Sequence, residues 1–558
     1  MQAKLAAGLM AITGVEYYMI SAPVSLLYKN LCVFRRQKLP EEWARNQKRN
    51  NISLRRRFYV MTSQILRDAR RYEEEKERKI AAEPRPAFHL SARVGWMNDP
   101  NGFSYYKGEY HMFYQYHPFS PYWGPMHWGH AVSKDLLHWE QLPVALAPDK
   151  EYDRDGCFSG SAAVLPDGRH MLMYTGVAKE TQPDGSSREV QTQCIAVGDG
   201  VDYEKYAGNP VLDEKHLPES GSRFDFRDPK LWRTQDGTYR CVAGNCTAEH
   251  DGQILLYSSP DGFEWKFEKI LVSNNGRFGM MWECPDFFQL DGKHVLLTSP
   301  QDMMPQGFEY HNGNGTLCLI GTYDEKTETF REEQDQSIDY GIDFYAPQTV
   351  TSPDGRRIMI GWMQNWDTCN LHAPERPWFG QMSLPRELSV RNGRLFQKPL
   401  RELETLRGEE VRYENVTFTD VIRLDGIKGR KIDMELSIRP ENAENIYRKF
   451  AVRFAQNDIY QTSVSFRPYE SVIKIDRKHS GSRRAIIHQR RCLVNNAKSR
   501  KGNLKVRIIL DYFSAEVFVN DGEYALSATL YTDPSVDGIS FFADGQVTMD
   551  VVKWDLYM

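Results

Sequence analysis

The chain is 558 residues long, with 71 Lys+Arg against 75 Asp+Glu and a formal net charge of −4. Apolar residues make up 41% and charged residues 26%, which excludes a disordered chain, a collagen, a coiled-coil rod and a multi-span membrane protein. No global basic field recommends nucleic acid as a partner.

Charge is uneven along the chain. Residues 1–60 hold 11 Lys+Arg and 3 Glu, a net of +8, so the rest is acidic. Leu5 to Tyr28 is apolar, but Glu16 and Pro23 interrupt it and no convincing cleavage site follows. It makes a poor signal peptide and a poor membrane span. This leader is expected to lie outside the folded unit. Arg55, Arg56 and Arg57 stand just upstream of Met61. Arginine codons written AGG-AGG resemble a bacterial ribosome-binding site, which makes Met61 the expected start. Met61 to Pro84 reads as an amphipathic helix with a dense charged face, within an N-terminal segment 61–87.

From Phe88 onward short period-2 apolar runs alternate with turns. Runs such as Tyr110–Tyr116, His170–Thr175, Ile254–Ser258, Val295–Ser299 and Ile358–Met363 are joined by turns at Pro166-Asp167-Gly168, Gln235-Asp236-Gly237, Pro260-Asp261-Gly262 and Pro353-Asp354-Gly355. Three hundred residues of such strands exceed one sandwich and suit a propeller. At about 60 residues per four-stranded blade, region 88–393 makes about five blades, although the repeat is faint. Residues 394–411 read as a polar connection with a short helix near 399–409. From 412 to 558 new alternating runs and the hairpin turn Asn520-Asp521-Gly522 predict a second all-β unit, a sandwich.

Nine cysteines, an odd number without a CxxC, fit free thiols in a reducing compartment. The Asn-x-Ser/Thr sites at Asn51, Asn245, Asn314 and Asn415 acquire meaning only on secretion.

Three acidic clusters stand out: Trp96-Met97-Asn98-Asp99-Pro100-Asn101-Gly102, Phe226-Arg227-Asp228-Pro229-Lys230 and Trp282-Glu283-Cys284-Pro285-Asp286. In each, a carboxylate lies within two residues of a proline, which fixes φ and restricts its predecessor. One such cluster is no more than a turn. Three in a region dense in Trp, Tyr, Asn and Gln suit hydrolysis of a glycosidic bond, which uses one carboxyl as acid and another as nucleophile or base.

In this order the three motifs resemble the signatures of glycoside hydrolase family 32. Further matches are Phe113-Tyr114-Gln115-Tyr116, Trp123 with His127-Trp128-Gly129-His130, Phe158-Ser159-Gly160-Ser161, Asp343-Phe344-Tyr345-Ala346-Pro347-Gln348, Gly361-Trp362-Met363 with Trp366, Leu384-Pro385-Arg386-Glu387, and Glu516-Val517-Phe518-Val519. The resemblance runs from about Met61 to Met558. It implies an all-β fold of a five-bladed β-propeller followed by a C-terminal β-sandwich. It implies retaining release of terminal β-fructofuranosyl units, with Asp99 as nucleophile, Glu283 as acid/base and Asp228 binding fructosyl hydroxyls. Trp96, Asn98, Gln115, Trp123, Phe158, Ser159, Arg227 and Trp366 become substrate contacts by the same resemblance.

Trp282 and two nearby Asp anions are expected to keep Glu283 protonated, and Arg227 to keep Asp228 ionised. His127 and His130 without a nearby carboxylate make a weak metal site, and Cys284 reads as a buried inert thiol. No metal or organic cofactor is expected. The expected partner is a sugar, sucrose or sucrose 6-phosphate, with no nucleic acid and no membrane. A fructan exo-hydrolase is the alternative, and a non-catalytic fructan-binding protein a remoter one. The expected location is the cytoplasm; secretion or membrane tethering enters only through residues 1–60.

Overall fold

The computed structural model describes residues 62–369, 376–442, 444–481, 487–494 and 496–558; the leader expected at 1–60, and Met61, lie outside them. The first element, α1 (Gln64–Lys79), is capped by the Ser63 hydroxyl, which accepts from the Leu66 amide. One face of α1 buries Leu66 and Ala69. On that face the Glu73 carboxylate accepts from the Val144 amide at 3.1 Å and pairs with Arg93 at 3.1 Å.

Five antiparallel sheets follow in chain order, the first four each built around four consecutive strands and the fifth around four strands interrupted by one short strand. Their first strands are β1 (Gly95–Tyr106), β2 (Gly156–Val164), β3 (Gly221–Arg233), β4 (Trp282–Leu290) and β5 (Tyr345–Thr351). Each lies against the next, and β5 returns to β1. The closure is hydrogen-bonded: the Gln348 side chain donates to Gly160 O at 2.7 Å and accepts from the Phe103 amide at 3.3 Å. The result is a five-bladed propeller with β1 to β5 around its axis. A two-residue strand, Trp378–Phe379, leaves the fifth blade and pairs in parallel with Gly95 and Trp96 of β1. The hairpin glycines Gly168, Gly237, Gly262 and Gly355 all take positive φ, between +82° and +91°, which explains the recurring turn motif.

The last strand of the fifth blade, Arg394–Pro399, is followed by the short 3-10 turn Arg401–Leu406 and then by the first sandwich strand, Arg407–Ile422. The stretch expected as a connection, 394–411, therefore contains parts of both regions. Its polar composition hid a strand whose Leu395 is fully buried between blades. The C-terminal strand Gly538–Leu556 pairs with three partners, Arg407–Ile422, Ile432–Pro440 and Lys449–Gln456, and ties the sandwich together.

The sandwich packs on blades one and five through Ile509, Phe513, Phe518 and Ala525 against Trp378, Leu384, Leu400 and Leu403. Buried ion pairs cross the same boundary. Arg386 binds Glu516 of the sandwich at 2.6 Å and is held on its own side by Asp339 at 3.0 Å. Arg477 pairs with Asp343, and His89 bridges Asp511 at 2.8 Å and Glu516 at 3.1 Å.

Candidate active site

All five inner strands carry the same irregularity at the same end. Each has one extra residue relative to its partner strand, between Met97 and Pro100, Phe158 and Gly160, Arg227 and Lys230, Glu283 and Asp286, and Tyr345 and Gln348. A bulge of this kind bends the strand and re-aims its side chains. The sequence shows why it forms here. Four strands read apolar–polar–X–Pro: Met97-Asn98-Asp99-Pro100, Phe226-Arg227-Asp228-Pro229, Trp282-Glu283-Cys284-Pro285 and Phe344-Tyr345-Ala346-Pro347. Proline has no amide to give the ladder, so it is tolerated at the bulge. Before three of these prolines, Asp228, Cys284 and Ala346 take positive φ of 64°, 50° and 50°. In β2 glycine stands in the proline's place, and a Cβ on Gly160 would lie 2.0 Å from Met173 O.

The bulges surround a cavity of about 400 Å³ lined by Asn98, Asp99, Gln115, Trp123, Phe158, Ser159, Arg227, Asp228, Glu283 and Trp366. Ten of the eleven expected site residues therefore meet in one place. Trp96 does not line it. Only 1% exposed, it stacks behind the wall on Phe379 and Trp366, and its indole N–H donates to Asn98 Oδ1 at 2.8 Å. Trp96 shares the face of Asn98 on β1 but lies farther from the bulge, covered by Trp366 and Phe379, and it holds Asn98.

Asp99 is 8% exposed. Its Oδ1 accepts from Asn98 Nδ2 at 3.1 Å and its Oδ2 from Ser159 Oγ at 3.0 Å. Burial, then the charges of Glu283 and Asp228, raise its pKa to about 7 against the pull of those hydrogen bonds. Asp228 accepts from the Cys284 amide at 2.9 Å, while its own amide donates to Thr175 Oγ1 at 2.9 Å. Burial and the Glu283 charge lift its pKa to about 6, with Arg227 pulling the other way.

Glu283 is held at both oxygens: Arg227 Nε donates to Oε1 at 2.9 Å and the Tyr345 hydroxyl donates to Oε2 at 2.7 Å. Two sequence expectations change here. Trp282 is not the apolar neighbour of Glu283; it faces the adjoining blade and donates its indole N–H to Phe278 O at 2.8 Å. Arg227 directs its hydrogen bonds to Glu283, Gln191 and Asp225 rather than to Asp228. The Cys284 thiol is buried as expected, and it sits 3.5 Å from Asp228 Oδ2 and 3.7 Å from Asp99 Oδ2.

Tyr345, Gln191, Phe224, Asp225, Glu189 and Gln301 were missed as site residues; all but Tyr345 line the cavity. Tyr345 was findable, since it occupies the same place in the four-residue repeat as Arg227 and Glu283. Phe224 and Asp225 precede the motif on β3 itself, Glu189 and Gln191 sit on the strand Ser187–Gly198, which carries no motif, and Gln301 follows the strand Lys293–Pro300. His127 and His130 are buried; His130 stacks on Phe113 at 4.0 Å and bonds His111 at 3.0 Å. Among the described residues no group of three or more His, Cys, Asp and Glu is arranged to hold a metal ion.

Trp366 is anchored from outside the propeller. Its neighbours bind the loop at 312–314: Asn365 Nδ2 donates to Asn314 O at 2.8 Å, and Asp367 accepts from the Asn314 amide at 3.0 Å. Arg490 of the sandwich holds that loop by donating to Asn312 Oδ1 at 3.2 Å and Asn312 O at 3.1 Å. A pocket wall thus hangs on a side chain of the second region.

Residues 89–399 match the glycosyl hydrolases family 32 N-terminal domain, and 402–557 match the glycosyl hydrolases family 32 C terminal. A sucrose-6-phosphate hydrolase of Escherichia coli is 37% identical over 472 residues, 83% of this chain and 93% of that protein. Among solved structures, a β-fructofuranosidase of Bombyx mori superposes with a TM-score of 0.73 at 34% identity, covering 88% of this chain and 98% of that one. A sucrose-6-phosphate hydrolase of Lactobacillus gasseri gives a TM-score of 0.75 at 27% identity, covering 87% and 96%.

Proposed function

We propose, for a chain that belongs to glycoside hydrolase family 32, the following division of labour in its active site. The enzyme is a retaining β-fructofuranosidase that hydrolyses sucrose or sucrose 6-phosphate. Asp99, buried at the end of β1, attacks the anomeric carbon of the fructosyl unit. Glu283 protonates the bridging oxygen as the leaving sugar departs. A covalent fructosyl-enzyme results, and Glu283 then takes a proton from the water that releases fructose. Asp228, the anion between them, binds fructosyl hydroxyls and, with Asp99, stabilises the positive charge of the oxocarbenium-like transition state.

The observation that carries this reading is the convergence of three carboxyl groups, each delivered by an equivalent bulge, into one cavity. Proton bookkeeping agrees with it. Three carboxylates around a single guanidinium favour a resting site that keeps one proton; the first step passes that proton to the leaving sugar, and the second regains it from water. Tyr345 and Arg227 supply hydrogen bonds that favour Glu283 once it has given its proton away.

The eight described cysteines are all buried, which supports action in a reducing cytoplasm. The deciding experiment is kcat/KM on sucrose, sucrose 6-phosphate, inulin and levan, read as released fructose. Turnover of the disaccharides above the polymers is expected. A preference for polymer overturns the substrate assignment, and no release from any of them overturns the catalytic one.

A further inference from the structure

The cavity has a graded depth. Asn98, Gln115, Ser159 and Asp228 at its floor are buried, whereas Trp123 is 44% exposed and Glu189, Phe224 and Gln301 are half-buried. A fructosyl unit reaching Asp99 fills the floor, and the leaving sugar occupies the mouth beside Phe224.

Phe224 stands at the junction of the second and third blades between two guanidinium groups. Arg188 lies 3.6 Å from its ring centroid and Arg223 lies 5.0 Å from it. The two cations are in different situations. Arg223 is neutralised by Glu180 at 3.0 Å and Glu214 at 3.2 Å. Arg188 makes no ion pair among the described residues. The acids around it are engaged elsewhere: Glu180, its cross-strand neighbour, with Arg223; Glu189 with Lys179 at 3.7 Å; Asp225 with Arg227 at 3.4 Å; and Asp184, exposed on the hairpin and within reach of the Arg188 charge, accepts hydrogen bonds from Ser186 at 2.9 and 2.6 Å. The mouth therefore presents one guanidinium with its charge unspent, seated on an aromatic ring that forms part of the cavity wall.

We propose that Arg188, braced on Phe224, is the specificity residue that receives a phosphoryl group carried by the leaving sugar. The assignment rests on the reading of the chain as a β-fructofuranosidase. The chemistry favours arginine for this task. Its planar fork matches two phosphoryl oxygens at once, and stacking on a ring fixes the plane in advance. The location matters as well. A phosphoryl dianion is repelled by the carboxylates of Asp99, Asp228 and Glu283, so it is accommodated only at the rim, where the unspent charge sits. An unphosphorylated sugar makes no use of that charge.

The test is the ratio of kcat/KM on sucrose 6-phosphate to that on sucrose, measured for the wild type, Arg188→Ala and Arg188→Lys. The wild type is expected to prefer the phosphorylated disaccharide. Arg188→Ala lowers the ratio tenfold or more, and Arg188→Lys lowers it less, since charge remains but the fork is lost. Competitive inhibition by glucose 6-phosphate weakens in parallel with the ratio. A wild type without preference, or a ratio unchanged in Arg188→Ala, overturns the proposal. A wild type that releases fructose from neither disaccharide instead overturns the β-fructofuranosidase reading, so the two failures are told apart by the wild-type control.

Discussion

Asp99 serves two demands that oppose each other. The proposed attack on the anomeric carbon needs it as an anion, while burial and its acidic neighbours raise its pKa to about 7. The sign of the consequence follows from linkage. A carboxyl whose folded-state pKa lies above its unfolded value favours the fold fully below the unfolded pKa, near 3.8, and that contribution is lost as pH rises through about 7. Asp99→Asn is therefore expected to abolish turnover, by about a thousandfold or more, and to raise thermal stability relative to the wild type. The gain should be small at pH 4 and reach a few kcal/mol above pH 7. Melting curves of both proteins across that range check it; a variant less stable at pH 8 contradicts the electrostatic picture. Glu283→Gln is expected to lose most activity on sucrose and far less on a fructoside with an activated aryl leaving group, measured as the two kcat values. The sequence revealed these carboxylates through their proline-bearing motifs. Trp96 lies behind the wall because Phe379 and Trp366 stack on it, contacts that a motif does not reveal; Gln191 sits on a strand without a motif, and Phe224 stands two residues before the motif of β3.

The inner strand is the element that makes the site. The four-residue pattern recurs at Met97, Phe226, Trp282 and Phe344, with Cys157-Phe158-Ser159-Gly160 as its variant, some 60 residues apart each time. Five strands and two faces were legible from alternation and turn glycines. The repeat is faint in sequence because only the four-residue pattern at the bulge recurs, and three of its four positions vary from blade to blade. The conserved physics is the bulge, and its residues differ because each blade contributes a different functional group. Gly160 tests this reading. Gly160→Ala forces a Cβ against Met173 O and Tyr174 Cα, two atoms of the paired strand. It should destabilise the protein by about 1–3 kcal/mol and, by shifting Ser159 away from Asp99, lower kcat/KM. Gly168→Ala, at a hairpin with open space around it, should cost about 1–2 kcal/mol through its φ alone and leave kcat/KM unchanged.

Over the whole molecule the propeller and the sandwich are joined by buried charge as much as by apolar packing. His89 is the clearest case. Burial alone would lower its pKa, but hydrogen bonds to Asp511 and Glu516 raise it to about 9. Its contribution is complete below its unfolded pKa of 6.5 and is lost as pH rises through about 9. Stability is expected to fall between pH 7 and pH 10 in the wild type. His89→Gln, which leaves buried Asp511 without its paired cation and Glu516 with Arg386 alone, should be about 3–5 kcal/mol less stable at pH 7 and show a flatter decline, as melting temperatures across this range will reveal. The sequence motifs at Leu384-Pro385-Arg386-Glu387 and Glu516-Val517-Phe518-Val519 resembled family signatures without an evident purpose. Arg386 and Glu516 turn out to be the two halves of one ion pair across this boundary.

The hold of Arg490 on the loop beside Trp366 gives the two regions a joint inheritance. Each matches its own family model, which invites their exchange between relatives as interchangeable modules. A chimera carrying this propeller on a relative's sandwich keeps every carboxylate, but the side chain that meets Asn312 and seats one wall of the pocket then comes from the relative. Such hybrids are expected to hydrolyse their substrate by the same chemistry while taking part of their selectivity from the sandwich donor. For this enzyme the smallest unit that can be transplanted with its specificity intact is the pair.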